Sequence, residues 1–261
     1  MKPKKKLGQN FLVNESLLET ISDLGQVNQK DIVLEVGPGT GNLTKNLIQK
    51  KPRELIVIEK DKELCKVLKN KFNNNINIVN DDILNCYDKI KYNKPIKIFG
   101  NLPYNISTKL FINWLKIEKL YEYVEKFILV FQKEVADRII ADQNSKKYGR
   151  LSVLSSWKTE KIKIADISPN NFYPIPKVWS TILLIKPKIK VEKLNSSKSL
   201  EYITNIFFNQ RRKMIKKPMK QIFKNYENVS KLLDLNLNDR PQNLTVKKFL
   251  EISKYYETSG K

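Results

Sequence analysis

Histidine is absent from this chain, and cysteine is limited to Cys65 and Cys86, which lack metal-ligand spacing. The first absence excludes a His-based catalytic triad, and the two together exclude an ordinary zinc site. Two unclustered cysteines fit reduced, partly buried thiols in a reducing compartment. No apolar run approaches the ~20 residues a membrane-spanning helix needs. The basic start, Met1-Lys2-Pro3-Lys4-Lys5-Lys6, leads into no long hydrophobic stretch, so it reads as a solvated arm rather than a secretory signal. A cytoplasmic protein with no membrane partner is expected. Acidic residues are scarce as well: Asp+Glu number 27 against 49 Lys+Arg, for a formal net charge of +22. Such an imbalance favours a polyanionic partner. Arginine occurs only at Arg53, Arg138, Arg150, Arg211, Arg212 and Arg240, so A+T-rich codon bias toward lysine and asparagine also contributes.

What is present is enough for one large domain and a smaller appendage, since 261 residues with 41% hydrophobic content can bury a full core. Apolar runs alternate with helical spacing through the first two-thirds. Strands are expected at 31–36, 54–59, 76–79, 96–100 and 127–131, and helices at 42–49, 61–69, 108–115 and 133–142. That alternation predicts an α/β fold with a parallel, doubly wound, Rossmann-like sheet. Runs at 162–164 and 181–185 add later strands of undetermined direction. After Pro187 the texture becomes linker-like and then helical, with Leu200, Ile203, Ile206 and Phe207 on one face and Val246, Phe249, Leu250 and Ile252 on another. The expected division is 1–190 for the α/β domain and 195–261 for a small helical one.

Three motifs carry chemistry. Glu35-Val36-Gly37-Pro38-Gly39-Thr40-Gly41 follows the first of these strands. Its glycines allow backbone to approach a ligand closely, with a helix N-terminus just beyond. Glu59 ends the next strand, where a carboxylate can grip ribose hydroxyls. The tight glycine spacing behind an acidic residue is the form usual in S-adenosyl-L-methionine-dependent methyltransferases, although a plain strand-to-helix turn would use the same residues. Second, Asp81-Asp82-Ile83-Leu84 follows the third of these strands, and Asp82 is the candidate acceptor for an adenine amino group. Third, Asn101-Leu102-Pro103-Tyr104 ends the strand at 96–100. The Asn101 side-chain oxygen and the Leu102 carbonyl are candidate acceptors for the two hydrogens of an exocyclic amine. Pro103 stiffens the loop, and Tyr104 offers a stacking face. Methyl transfer from a sulfonium needs neither metal nor strong base, so positioning and electrostatics suffice.

With these in place the chain resembles the KsgA-type small-subunit rRNA adenine dimethyltransferases, a family that extends to the Erm resistance methylases. The resemblance runs through Leu7-Gly8-Gln9-Asn10-Phe11-Leu12, the motifs above, Gln132 to Ile139, Tyr148 to Val153, Phe172-Tyr173-Pro174-Ile175-Pro176-Lys177-Val178-Trp179-Ser180, and Phe208-Asn209-Gln210-Arg211-Arg212-Lys213. It implies cofactor contacts at Asn10, Leu12, Gly37, Glu59, Asp82 and Asn101, joined by Gly39 from the glycine turn. It also implies that Phe172 sandwiches the target adenine with Tyr104. The implied partner is 16S rRNA in the small ribosomal subunit or its precursor, with two adjacent adenosines near the 3′ end each methylated twice by a monomeric enzyme. The leucine of the tetrapeptide favours this branch over 23S-directed methylases. A non-catalytic nucleic-acid-binding relative would tend to lose the tetrapeptide, whereas a DNA adenine methylase would carry a similar one. Lys146, Lys147 and Arg150, and the denser run Arg211, Arg212 and Lys213 continuing to Lys220, are the candidate RNA contacts. Met214 and Ile215 are expected to face inward from that run.

Overall fold

Strand order explains where a ligand can sit. The computed structural model describes residues 3–4, 8–88 and 92–259, so Lys2, Lys5 and Lys6 of the basic arm and Leu7 of the N-terminal motif lie outside the described residues. In chain order the elements are β1 (Phe11–Leu12), α1 (Glu15–Leu24), β2 (Ile32–Val36), α2 (Asn42–Gln49), β3 (Glu54–Ile58), α3 (Lys62–Phe72), β4 (Asn77–Val79), α4 (Ile83–Cys86), β5 (Ile96–Asn101), α5 (Tyr104–Lys116), α6 (Leu120–Tyr123) and β6 (Val124–Gln132). There follow α7 (Lys133–Ile140), α8 (Arg150–Lys158), β7 (Thr159–Ile167), β8 (Phe172–Tyr173), β9 (Ser180–Pro187), α9 (Ser197–Asn209), α10 (Lys216–Ile222), α11 (Tyr226–Leu232) and α12 (Val246–Thr258).

The main sheet has the order β4-β3-β2-β5-β6-β9-β7. Strands β2 to β6 pair in parallel, whereas β9 runs antiparallel to both β6 and β7. The doubly wound parallel sheet holds through β6, and the two later strands close its edge as an antiparallel pair. The central strands are apolar on both faces because helices cover both. On one side Val33, Leu47, Leu68 and Phe99 share a buried cluster. On the other, Phe111 and Trp114 of α5 meet Phe127 at ring separations of 6.5 and 5.1 Å. The winding direction reverses between β2 and β5, whose ends align as Val36 opposite Gly100. In open α/β sheets the crevice at such a reversal is where ligands bind.

The chain divides differently from the sequence boundary. One compact unit is Met1–Ala136 with Thr159–Ile189, and the other is Asp137–Lys158 with Lys190–Lys261. Residues 137–158 therefore belong with the C-terminal helices rather than with the α/β unit. The reason is aromatic packing: the Tyr148 ring lies 6.0 Å from Phe208, and its hydroxyl donates to the Leu244 carbonyl at 3.0 Å. The Trp157 indole donates to the Glu192 carbonyl at 2.8 Å. In the same unit Pro218 falls in the first turn of α10, where a missing N–H costs no helical bond.

Candidate active site

One cavity opens at the β2–β5 reversal. Gly8 to Phe11 wall it from the N-terminal segment, and Val36, Gly37 and Gly39 from the turn after β2. Ile58 to Lys60 follow β3, Asp81 to Ile83 follow β4, and Asn101 to Ile106 run from β5 into α5. Of the expected cofactor residues, Asn10, Gly37, Gly39, Glu59, Asp82 and Asn101 thus come together on one wall set. Leu12 lines the smaller adjoining cavity, which shares Phe11, Gly37 and Asn101 with this one. Its side chain is buried in the core, while its carbonyl accepts from Asn42 Nδ2 at 2.8 Å.

Within the cavity each polar group is held by a specific partner. Glu59 Oε2 accepts from the Gly39 N–H at 3.3 Å and Oε1 from the Asp61 N–H at 2.8 Å. Burial raises the Glu59 pKa, and those two N–H bonds only partly oppose it. Asp82 caps α4 through the Leu84 N–H at 3.0 Å and meets Lys60 Nζ at 2.8 Å. Partial burial works against its charge, but the Lys60 ammonium and the Leu84 N–H hold its carboxyl below the usual range. Asn101 Nδ2 donates to the Asn10 carbonyl at 2.7 Å. Because that partner can only accept, the amide orientation is fixed, and Oδ1 is left as an acceptor.

Asn101-Leu102-Pro103-Tyr104 joins strand to helix rather than forming a free turn. Asn101 ends β5, Pro103 stands at the N-cap of α5, and Tyr104 opens the helix. The Tyr104 hydroxyl lies 2.6 Å from Ser180 Oγ, which anchors the far end of its ring. Burial raises the Tyr104 pKa, so the phenol stays neutral.

Phe172 corrects an expectation. Strand β8 pairs antiparallel with β1, Leu12 opposite Phe172 and Phe11 opposite Tyr173. Strand alternation then turns Phe172 into the core at 2% exposure and leaves Tyr173 outside at 60%. Phe172 does not line the cavity, so Tyr104 alone of the two offers a ring there.

Two groups to which the sequence motifs assign no role of their own matter here. Asp61 caps α3 and accepts from Lys4 Nζ at 2.7 Å and Gln9 Nε2 at 3.2 Å, while its N–H orients Glu59. Its position just before the Leu64/Leu68 spacing is an N-cap signature that could have flagged it. Glu35 is legible only as part of the glycine motif. It is buried beneath the turn, accepts from Thr44 Oγ1 at 2.6 Å, and is pushed up to about 8, chiefly by burial. From 4.5, its ordinary value, up to about 8 the unfolded chain loses this proton while the folded chain keeps it. Stability should therefore fall as pH rises through that window and level off above it. Glu35→Gln is expected to flatten that decline in melting temperature, leaving the slope due to Glu59; an unchanged pH profile would show that Glu35 is ionised in the fold.

Comparison with known proteins fits this geometry. A family model described as ribosomal RNA adenine dimethylase matches residues 1–258. The chain belongs to the ribosomal RNA adenine dimethylase family. It is 48% identical over 257 residues to ribosomal RNA small subunit methyltransferase A of Pelagibacter ubique, covering 98% of each chain. It is 40% identical to the protein of the same name from a Wolbachia of Brugia malayi, covering 95% of each. Among solved structures, a dimethyladenosine transferase from Plasmodium falciparum superposes with a TM-score of 0.74 at 25% identity, over 93% of this chain and 95% of that one. The 23S rRNA methyltransferase ErmE shares the fold, with a TM-score of 0.69 at 22% identity, over 95% and 100%.

This dimethylase family member also carries its candidate RNA contacts in the helical unit, where the structure sorts them into two kinds. Lys146, Lys147, Arg212 and Lys213 are exposed. Arg150 is exposed too but tied, donating to Asn205 Oδ1 at 3.2 Å and lying 3.8 Å from Glu201. Arg211 Nη2 donates to the Ser145 carbonyl at 3.2 Å and to the Lys146 carbonyl, so its fork braces the loop that presents the two lysines. Residues 210–215 form a turn ahead of α10; Ile215 is buried as expected, but Met214 is 54% exposed rather than inward.

Proposed function

We propose that the chain transfers methyl groups from S-adenosyl-L-methionine to the exocyclic amines of two adjacent adenosines near the 3′ end of 16S rRNA, dimethylating each within the small ribosomal subunit or its precursor. The observation that carries this reading is the fixed Asn101 amide, which leaves Oδ1 as an acceptor on a residue that lines the cavity together with Gly37, Gly39 and Glu59. The cavity fits the cofactor. Gly39 supplies a Cβ-free floor, Glu59 a carboxylate for the ribose hydroxyls, and Asp82 an acceptor for the adenine amine once Lys60 shifts. The cofactor supplies an electrophilic methyl on a sulfonium. The protein's own part is to orient the amine: Asn101 Oδ1 and the Leu102 carbonyl accept its two hydrogens, and Tyr104 stacks on the base. No metal enters this scheme. The adenosine must leave its stack to reach the cavity, at a cost of roughly a few kcal/mol that stacking on Tyr104 offsets.

The names of the relatives favour the small subunit over the 23S-directed reaction. No helix among the described residues is long and apolar enough to cross a membrane. We read the protein as a cytoplasmic monomer. The test is incubation of unmethylated small subunits with the protein and the methyl donor, followed by mass spectrometry of rRNA fragments. Dimethyladenosine at two neighbouring positions is expected, and methylation confined to large subunits or duplex DNA would overturn the reading.

Lys146, Lys147, Arg212 and Lys213 are assigned to phosphate contacts, with Arg211 and Arg150 as supports. Arg212→Ala should weaken RNA binding and reduce the slope of log K against log salt by roughly 0.7–0.9. An unchanged slope would take Arg212 out of the interface.

A further inference from the structure

Between β8 and β9 the chain displays an apolar surface that the cavity does not use. Tyr173, Ile175, Val178 and Trp179 are all exposed, Ile175 at 65% and Trp179 at 51%, within seven successive residues. Isolated exposed apolar residues need no explanation, but two aromatics and two aliphatics in one short segment do. Pro174 and Pro176 stiffen the segment, so little ordering entropy is lost when it meets a partner. Both of its ends are anchored on cavity residues. Tyr173 pairs with Phe11, which walls the cavity, and the residue after Trp179 is Ser180, which holds the Tyr104 hydroxyl. Lys177 is exposed in the middle of the run, and the Trp179 carbonyl accepts from the Lys133 N–H at 2.8 Å, which fixes the backbone there.

We infer that Tyr173 and Trp179, backed by Ile175 and Val178, form a stacking platform for single-stranded RNA flanking the target adenosine. The inference rests on the RNA-methylating reading above and adds a second contact to it. Flat rings beside a positive charge are what unstacked nucleotides recognise, since every base has a π-face and every linkage a phosphate. A nucleotide withdrawn into the cavity past Tyr104 leaves its neighbours unstacked, and the platform lies one residue from the group that holds Tyr104. The exposed Lys177 within this segment favours a polyanion such as RNA over an apolar protein partner.

Tryptophan fluorescence tests this directly. Of the three tryptophans, Trp114 and Trp157 are buried and only Trp179 is exposed. Titration with an adenine-containing single strand of about ten nucleotides should quench the intact protein at concentrations where labelled-RNA anisotropy shows binding. Duplex RNA of equal length should quench little, and Trp179→Phe should abolish the quench. With unmethylated small subunits as substrate, Trp179→Ala should raise KM for RNA roughly fivefold or more, with kcat and methyl-donor affinity unchanged, and Trp179→Phe should restore KM. RNA binding without quenching, or an unaltered KM in the double variant Trp179→Ala/Tyr173→Ala, would overturn the platform while leaving the methyl-transfer reading standing. Loss of a dimer in sedimentation on Trp179→Ala would also overturn it, by making the surface a contact between copies. Failure to bind any RNA would overturn both readings together.

Discussion

Asn101→Ala is expected to lower single-turnover methyl transfer by roughly 10²–10³-fold, the range seen when one preorganised polar group is removed from a developing charge, with RNA affinity nearly unchanged. The reason lies in what the amide does at each end. Its Nδ2 is committed to the Asn10 carbonyl at 2.7 Å, so the side chain cannot rotate to present a donor to the substrate. Oδ1 is thereby held as an acceptor, and an amine hydrogen bonded to it draws the nitrogen lone pair toward the methyl carbon as the nitrogen becomes tetrahedral. That bond strengthens along the reaction, so its removal should act on kcat more than on binding. Alanine also frees the half-exposed Asn10 carbonyl to water, which should cost only about 0.5–1.5 kcal/mol and weaken donor binding modestly. Asn101→Gln keeps every polar atom but moves it by a methylene, and should be impaired nearly as much if position is what matters. Asn101→Asp places an acceptor against the Asn10 carbonyl and should be impaired through that repulsion. Equal losses in RNA affinity and rate for Asn101→Ala would contradict the assignment.

The parts of this arrangement that sequence makes legible are those set by local pattern. The apolar runs of β2, β3 and β5 fix a parallel core, and Gly37, Glu59, Asp82 and Asn101 each follow or end a strand, so topology alone brings them to one crevice. Helix α1, which the alternation of strands and helices above leaves out, carries Leu17, Leu18, Ile21 and Leu24 at helical spacing behind Asn14, which caps it through the Leu17 N–H. What depends on partners far along the chain is not legible at all. Residues 137–158 join the C-terminal helices through distant partners, Tyr148 with Phe208 and Leu244 and Trp157 with the Glu192 carbonyl. Phe172 turns inward only because β8 pairs with β1 in the register that sets it opposite Leu12; one residue of slip would exchange its place with Tyr173. Arg211 and Arg212 are indistinguishable in sequence, yet one reaches two loop carbonyls and the other faces solvent. The resemblance to a family assigns roles to these positions, but the register and the hydrogen-bond partners decide which side chain can fill them.

Gly39 is the position where a single methyl group should do the most damage to donor binding. Its φ of +59° is one that L side chains rarely adopt, and forcing a residue with a Cβ into that region costs roughly 1–2 kcal/mol. Gly37 shares that strain with a φ of +67°. The two differ in space. A Cβ on Gly37 would come no nearer than 3.7 Å to Pro103, an ordinary contact, whereas one on Gly39 would stand 2.6 and 2.7 Å from two carbons of the Phe11 ring. Gly39→Ala must therefore push Phe11 away, disturbing the β1–β8 pairing and the N-terminal wall of the cavity, and it also strains the N–H that Glu59 accepts. Calorimetry with the methyl donor should show a loss above about 100-fold for Gly39→Ala, well beyond the roughly tenfold that backbone strain alone gives Gly37→Ala. Far-ultraviolet circular dichroism should show both variants folded. Phe11→Ala in the Gly39→Ala background removes the clashing ring carbons and should recover part of the affinity. Equal losses at the two glycines, or no recovery in the double variant, would mean that the turn's conformation alone, and not its close packing against Phe11, shapes the cavity floor.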